Sequence, residues 1–460
     1  MAKAAIILAA GQGTRMKSAK PKVMHAVAGL PILGHVVAAI RGAGVSRIVV
    51  VSAPSMDEMR GYVSSLGAEN AIQDKPLGTG HAALAAKSVL GDFDGAVLVN
   101  NGDMPLAQTQ MMADAFAAAE ATGMSGVAFR PADPLHYGRV VLLPDGTLDY
   151  IVEWKDASET QRKNDLCAAG TYAAASARKF FEWASQLKND NKQGEYYLPE
   201  VPLIAKRDGV KCAITETDEI TVMGVNSRAE LADAESQMQK RLRARALAAG
   251  VGMTAPETVF LSHDTVLEPD CHIGPYVVIG PKVTVRSGAE IKSHSHLEGS
   301  EKEGPVLVGS GALIGPYARL RGGATIEEDV HIGNFVEVKK TRIEKGAKAN
   351  HLTYLGDARV GPGANIGAGT ITCNYDGFDK HHTDIGAGAF IGSNSALVAP
   401  VKVADGAYVG AGSVVTKEVS KDSLAVTRAE QKQIPGWAEK FRTRKKAEKA
   451  AQSKSTTKGK

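Results

Sequence analysis

From Leu267 to Val415, aliphatic side chains return at every sixth position in three unbroken runs, and few chain folds satisfy that spacing. The runs are Leu267, Ile273, Ile279, Val285, Ile291 and Leu297; then Val308, Ile314, Leu320, Ile326, Ile332 and Val338; then Ile385, Ile391, Leu397, Val403, Val409 and Val415. A six-residue step fits neither the helical period nor strand alternation alone; it marks a parallel β-helix in which each unit supplies one short strand and one corner. The aliphatic residue points into a shaft and stacks on its equivalents in neighbouring coils, while Gly, Ala and Asn take the tight corners. Three units close a triangular coil of about 18 residues. The glycine distribution agrees, since 26 of the 49 glycines lie between residues 251 and 436. The phase breaks near 298–307 and 372–384 predict insertions, and an insertion into so regular a repeat is where function is to be sought.

Residues 1–226 carry a different pattern. Short apolar runs at Ala4–Ala10, Ile48–Val51 and Ala96–Val99 alternate with segments of helical spacing, which predicts βαβ units around a mostly parallel sheet. Ser227-Arg-Ala-Glu230 reads as a capping box, with Leu231, Ala234, Met238 and Leu242 following at helical spacing, so a linker helix is predicted over 227–250. The β-helix then occupies 251–436, and 437–460 is a tail predicted to be disordered. Residues 440–460 carry a net charge of +8, which leaves a body of −4 within the overall +4. An acidic body excludes an electrostatic footprint for nucleic acid on the folded parts. No apolar run reaches the ~20 residues of a membrane span. The four cysteines, Cys167, Cys212, Cys271 and Cys373, are too scattered for a metal knuckle or a disulfide framework, and a cytoplasmic location is expected.

The first apolar run leads into Gly11-Gln-Gly-Thr-Arg15-Met, with Pro21-Lys22 beyond. Glycines after a strand let backbone N–H groups close on a polyphosphate, and Arg15 and Lys22 supply positive charge. Met16 stands where a dinucleotide fingerprint needs its third glycine, and a P-loop's Gly-Lys-Ser/Thr ending is absent. The string LAAGQGTRM with its following Pro-Lys instead resembles the sugar-phosphate nucleotidyltransferases. Gln73, Leu77-Gly-Thr-Gly-His81, Asn101-Gly-Asp103, Tyr137-Gly-Arg139, Ile151-Val-Glu153, Gln193-Gly-Glu-Tyr-Tyr197 and Gly224-Val-Asn226 follow in that family's order.

In the second half, Arg319-Leu-Arg-Gly322, Gly333-Asn-Phe-Val-Glu-Val-Lys-Lys340, His351-Leu-Thr-Tyr-Leu-Gly-Asp357 and Asn365-Ile-Gly-Ala-Gly-Thr-Ile-Thr-Cys-Asn-Tyr-Asp-Gly377 resemble hexapeptide acetyltransferases. Together the two sets of strings, from about residue 4 to about residue 436, resemble the bacterial bifunctional GlmU family. That resemblance implies a Rossmann-like α/β nucleotidyltransferase domain joined by a helix to a left-handed parallel β-helix, assembled as a homotrimer. It implies acetyl-CoA-dependent N-acetylation of glucosamine 1-phosphate, then Mg²⁺-dependent uridylyl transfer from UTP to N-acetylglucosamine 1-phosphate.

The same resemblance distributes the residues. Leu8, Ala9, Ala10, Gly11, Lys22, Gln73, Gly78, Thr79, Asn101, Gly138, Glu153, Ala168 and Asn226 would hold UTP and the sugar nucleotide, with Arg15 and Lys22 acting on the phosphates. Asp103 and Asn226 would bind the metal. Arg321, Lys339, Tyr354 and Asn365 would hold glucosamine 1-phosphate, and His351 would be the base, with Glu337 as its orienting carboxylate. Ala368, Asn374, Tyr375, Ser393, Ala411 and Arg428 would receive acetyl-CoA. Three positions depart from the family's usual pattern: Ala168-Ala-Gly170 replaces Asn-Thr-Gly, Asn101 replaces Tyr, and Trp154 replaces His. His294 with His296, and His381 with His382, lack the further ligands of a zinc site nearby.

Overall fold

The computed structural model describes residues 1–134 and 137–457, in two compact units, Met1–Val308 and Gly309–Lys460. The first unit begins with a sheet of seven main strands: β1 (Lys3–Leu8), β2 (Arg47–Ser52), β3 (Glu69–Ile72), β4 (Ala96–Asn101), β5 (Gly123–Phe129), β6 (Cys167–Ala174) and β7 (Lys211–Thr217). Their order across the sheet is β7-β5-β6-β4-β1-β2-β3. β1 runs parallel to both β2 and β4, whereas β6 is antiparallel to both of its neighbours, β4 and β5. β1 is buried on both faces, with Ala5 and Ile7 in one apolar cluster and Ala4 and Ile6 in the other. Helices cover both sides, which is why the strand is a continuous apolar run rather than an alternating one.

The predicted capping box forms. Ser227 accepts from the Glu230 amide, the Glu230 carboxylate returns to the Ser227 amide, and the connecting helix extends from Arg228 to Ala248. The first coils of the β-helix follow. Ile273 lies beside Ile291 and Ile279 beside Leu297, both eighteen residues on, while Val285 lies beside Val308 because residues 300–304 form a small projecting turn.

The second unit continues the six-residue steps. Of the eighteen aliphatic positions in the three runs, all but Leu267 are buried. Between the second and third runs the coils shorten: Ile326 lies beside Ile343, Ile332 beside Ala349, Val338 beside Leu355 and Ile343 beside Val360, each seventeen residues on. The strands Glu337–Ile343 and Tyr354–Val360 run on through a corner that elsewhere interrupts the strand. Val360 is next paired with Ile385, twenty-five residues on, and the predicted insertion projects here as a loop closed by the Tyr375–Lys380 bridge.

The tail differs from the composition-based expectation of disorder, since Trp437–Thr457 is an α-helix. Its Ala, Lys, Glu and Arg content favours helix, and Glu448 pairs with both Arg444 and Lys445 one turn back. Residues 458–460 lie outside the described part.

Candidate functional site

In the first unit the site is built where strands end. β1 stops at Leu8, whose carbonyl accepts from the Gly102 amide at 2.8 Å, so the Ala9–Gly11 turn lies beside the end of β4. Gly13 is left-handed, and a Cβ there would come within 2.7 Å of Lys22 Cβ, so glycine allows the segment carrying Lys22 to fold back over the loop. Lys22 Nζ donates to Asp103 Oδ2 at 2.6 Å and to Asn226 Oδ1 at 2.8 Å. The Val225 amide donates to the Asp103 carbonyl at 2.9 Å, which ties the Asn226 segment to the end of β4.

Two cavities meet at this point. One, of about 280 Å³, is lined by Leu8, Ala9, Ala10, Gly11, Lys22, Gln73 and Gly78; the other, of about 480 Å³, by Gly138, Glu153, Ala168, Gly170, Tyr172 and Asn226. Thr79, Asn101 and Asp103 line both. The buried Gln73 side chain donates to the Gly78 carbonyl and contacts His81 Nδ1, both at 3.1 Å. The Gly80 amide donates to the Tyr196 carbonyl at 2.8 Å, which lays the 193–197 string against the 77–81 string. Arg15 alone of the residues assigned to this half lies outside both linings, exposed on the short turn Thr14–Met16.

The larger cavity carries its own electrostatics. Burial raises the Glu153 carboxyl above its ordinary value, and the carboxylates of Asp156 and Glu195 add to the shift. Tyr172, which the sequence reading missed, is buried, its hydroxyl meets no hydrogen-bond partner among the described residues, and burial holds that hydroxyl well above its ordinary value. Tyr172 belongs to β6 and reads in the sequence as plain strand core. Asn101 lies directly over Gly170, where a Cβ would meet its amide nitrogen at 2.5 Å. The Trp154 ring carries two guanidinium groups, Arg139 at 4.9 Å and Arg162 at 4.5 Å from its centre.

In the second unit the assigned residues fall on edges of the shaft. Asn334 is paired in register with His351. Because Ala349 pairs with Ile366, Ile366 with Ile391 and Ile391 with Val409, the same edge continues through Ala368, Ser393 and Ala411. Backbone bonds join the rungs: the carbonyls of Asn334, His351, Ala368 and Ser393 accept from the amides of Leu352, Gly369, Asn394 and Gly412. Arg428 donates to the Ala411 carbonyl at the far end.

His351 Nδ1 lies 3.0 Å from Asn334 Oδ1, an oxygen that can only accept, so Nδ1 is the donor in this contact and Nε2 is the nitrogen left to accept in the neutral ring. The carboxylate expected to orient this histidine is engaged elsewhere, since Glu337 accepts from Arg321 Nη1 at 2.8 Å. Asn334 was missed because it stands seventeen residues before His351, where the expected coil has eighteen. Arg321 and Lys339 occupy matching positions on consecutive coils. Gly356 follows Lys339 in register, and a Cβ there would meet the Tyr354 hydroxyl at 2.3 Å and the Asn374 amide nitrogen at 2.8 Å. Asn374 is buried and donates to Asp357. Asn365 is outward-facing beside Lys348. Tyr375 is exposed on the inserted loop, with the Lys380 ammonium 4.0 Å from its ring centre. Of the histidine pairs, His294 stacks on Tyr276, His296 faces Glu298 at 3.4 Å and His381 pairs with Asp376 at 2.7 Å.

Comparison with known proteins finds one domain match near each end of the chain. Residues 5–173 match the MobA-like NTP transferase domain, and residues 305–340 and 382–417 match the bacterial transferase hexapeptide (six repeats). Curated relatives match along nearly the whole chain. The bifunctional protein GlmU of Paramagnetospirillum magneticum is 50% identical over 97% of this chain and 98% of its own length. That of Sphingopyxis alaskensis is 49% identical over 98% and 99%, and that of Rhodospirillum rubrum 51% identical over 95% and 97%. With the two matched domains in this order and identity of this extent, the chain belongs to the bifunctional GlmU family.

Proposed function

We propose that the chain makes UDP-N-acetylglucosamine in two steps, acetylating glucosamine 1-phosphate on the β-helix and transferring a uridylyl group to the product in the α/β half. The observation that carries the second step is the convergence of Lys22, Asp103 and Asn226 at the junction of the two cavities. The smaller cavity takes UTP and the larger takes N-acetylglucosamine 1-phosphate, so the sugar's phosphate oxygen faces the α-phosphorus near Asp103. That oxygen is already ionised at neutral pH and needs no base. Alignment and charge neutralisation therefore supply most of the rate.

Asp103 and Asn226 aim one oxygen each at a single cation, the Lys22 ammonium, and a hard-oxygen pair completed by phosphates and water suits Mg²⁺. Bound there, Mg²⁺ would supply charge neutralisation across the reacting phosphates. Lys22 steadies the α-phosphate, and Arg15, exposed on its turn, closes on the leaving pyrophosphate. Gln73 reads the base, while Gly138, Glu153 and the unpartnered Tyr172 hydroxyl hold the sugar.

On the shaft, His351 Nε2 takes a proton from the substrate ammonium, the freed amine attacks the thioester carbonyl of acetyl-CoA, and the C–S bond breaks as the amide forms, so that CoA leaves as its thiol. Asn334 holds the ring in the tautomer that leaves Nε2 able to accept. Arg321 and Lys339 receive the sugar's phosphate, with Tyr354 and Asn365 about the sugar and Tyr375 on the acetyl-CoA side. Ala368, Asn374, Ser393 and Ala411 receive the acetyl-CoA arm, with Arg428 on a CoA phosphate. The exposed stack of Tyr317 on Phe335, with Leu352 62% exposed beside His351, supports a homotrimer whose subunit boundary runs along this edge. A cytoplasmic location is supported by four free cysteines and by the lack, among the described residues, of any helix long and apolar enough to cross a membrane.

The deciding experiment runs two assays on one preparation: thiol release from acetyl-CoA with glucosamine 1-phosphate, and pyrophosphate release from UTP with N-acetylglucosamine 1-phosphate. Both signals are expected, each dependent on its own sugar phosphate. Absence of thiol release would reduce the shaft to a scaffold and overturn the acetyl-transfer half.

A further inference from the structure

The segment that delivers Lys22 is a weak structure by itself. After Lys22–Met24 the chain makes a hairpin of only two residues per strand, Ala26–Val27 against Leu30–Pro31, and a two-stranded hairpin of this size does not hold its shape alone in water. Its turn is Ala28-Gly29, with φ of 46° and 79°, and Ala28 adopts a conformation that a residue with a side chain seldom takes.

The tip is held from outside the nucleotide-binding sheet. The Ala28 amide donates to Glu235 Oε2 on the connecting helix at 2.6 Å. The Ala28 carbonyl accepts from the His263 amide at 2.8 Å and from Ser262 Oγ at 3.1 Å, both on the first coil of the β-helix. His35 Nε2 donates to the Val27 carbonyl at 2.8 Å. Glu235 is in turn fixed by Gln239, which is 2% exposed and donates to Glu235 Oε1 at 2.8 Å and to the Leu261 carbonyl at 2.7 Å, while accepting from the Leu261 amide at 2.9 Å. The same helix begins one residue after Ser227, and its Glu230 accepts from the Asn226 amide at 2.5 Å. One rigid helix therefore sets both Asn226 and the hairpin that carries Lys22.

We infer that Glu235 is a positioning residue for uridylyl transfer: with Gln239 and the first coil it braces the Ala28–Gly29 turn, so that the β-helix fixes where Lys22 stands in the other half's site. This rests on the reading of the Lys22, Asp103 and Asn226 cluster as the uridylyl-transfer site. A displacement of about 1 Å in a reacting group costs up to about 10²-fold in rate.

The test uses the full chain. Glu235→Ala is expected to lower kcat for pyrophosphate release about 10- to 100-fold with KM for UTP within about twofold, to leave thiol release unchanged and to speed hydrogen exchange at the Ala28 amide. Glu235→Gln, whose amide oxygen still accepts from Ala28 but whose amide nitrogen loses the bond from Gln239, is expected to recover part of kcat. Ser262→Ala, a smaller change in the same brace, should lower kcat about two- to threefold. The inference is overturned if Glu235→Ala exchanges faster at Ala28 yet keeps kcat within about twofold, or if Glu235→Gln falls as far as Glu235→Ala. Asp103→Ala runs alongside: should it keep normal kcat, the uridylyl reading itself has failed, whereas an inactive Asp103→Ala beside a normal Glu235→Ala sinks the brace alone.

Discussion

Lys22 reaches Asp103 and Asn226 across 81 and 204 positions of sequence, at the meeting of two cavities, whereas Asn334, His351 and Ala368 stand one coil apart along an open edge. In the α/β half, loops from different strands converge on a point, and each depends on the elements that carry it. On the shaft, register alone places the side chains, because each rung is held by the rung before it. The first kind of site is enclosed and open to control from a distance. The second is repetitive, and a change to one rung stays local.

The largest effect that could break this contrast is expected at Asp103. Asp103→Ala should cut pyrophosphate release by about 10³-fold or more while thiol release is retained, read by the two assays on one preparation. His351→Ala should do the reverse, lowering thiol release by about 10²–10³-fold with pyrophosphate release intact. If either substitution lowers both signals together, the two sites are not independent and the contrast fails.

Asn334 sharpens it further. Asn334→Ala should lower kcat for acetyl transfer about tenfold, since one orienting hydrogen bond is lost. Asn334→Asp should move the acid limb of the pH–rate profile to higher pH, because a carboxylate beside the imidazole favours its protonated form. A profile that does not move would show that Asn334 only packs there.

The smallest expected effect is at Glu153. Its carboxyl is raised in the fold by burial and by neighbouring carboxylates, so the folded state favours the protonated form. Below the ordinary value of 4.5 the group costs the fold nothing; as pH rises past it, ionisation in the buried site costs stability. Glu153→Gln should therefore raise the melting temperature at pH 7 by about 2 °C, with the gain fading toward pH 4, followed by calorimetry across that range. A gain that is constant with pH would mean that packing, rather than charge, is responsible.

How far the sequence disclosed all this follows the same division. The shaft was legible because burial repeats every six residues, and seventeen of the eighteen aliphatic positions point inward. The shortened coils were not, because Ala349 and Thr372 occupy core positions where an aliphatic residue would have kept the count visible. Asn334 was hidden for the same reason: without a coil length of seventeen its alignment with His351 cannot be calculated. In the α/β half the phosphate loop and Gly-Asp were legible as local strings. The brace on Ala28 was not, since no local spacing joins a hairpin turn to a helix more than two hundred residues later. The tail helix was misjudged because low hydrophobicity was weighed above the helix preference of Ala, Lys and Glu.

The two neighbouring corners at 338–343 and 355–360 are each one residue shorter than the usual step, and they lie side by side. Above them the corner from Leu320 to Ile326 keeps six residues, yet Leu320 still lies beside Val338 and Ile326 beside Ile343, so one residue can leave a corner while the rungs at both its ends stay paired. The extra residues at 300–304 and 372–384 are likewise absorbed at one corner each. Each corner is a separate place to gain or lose length, and the strands on either side of it hold the pairing.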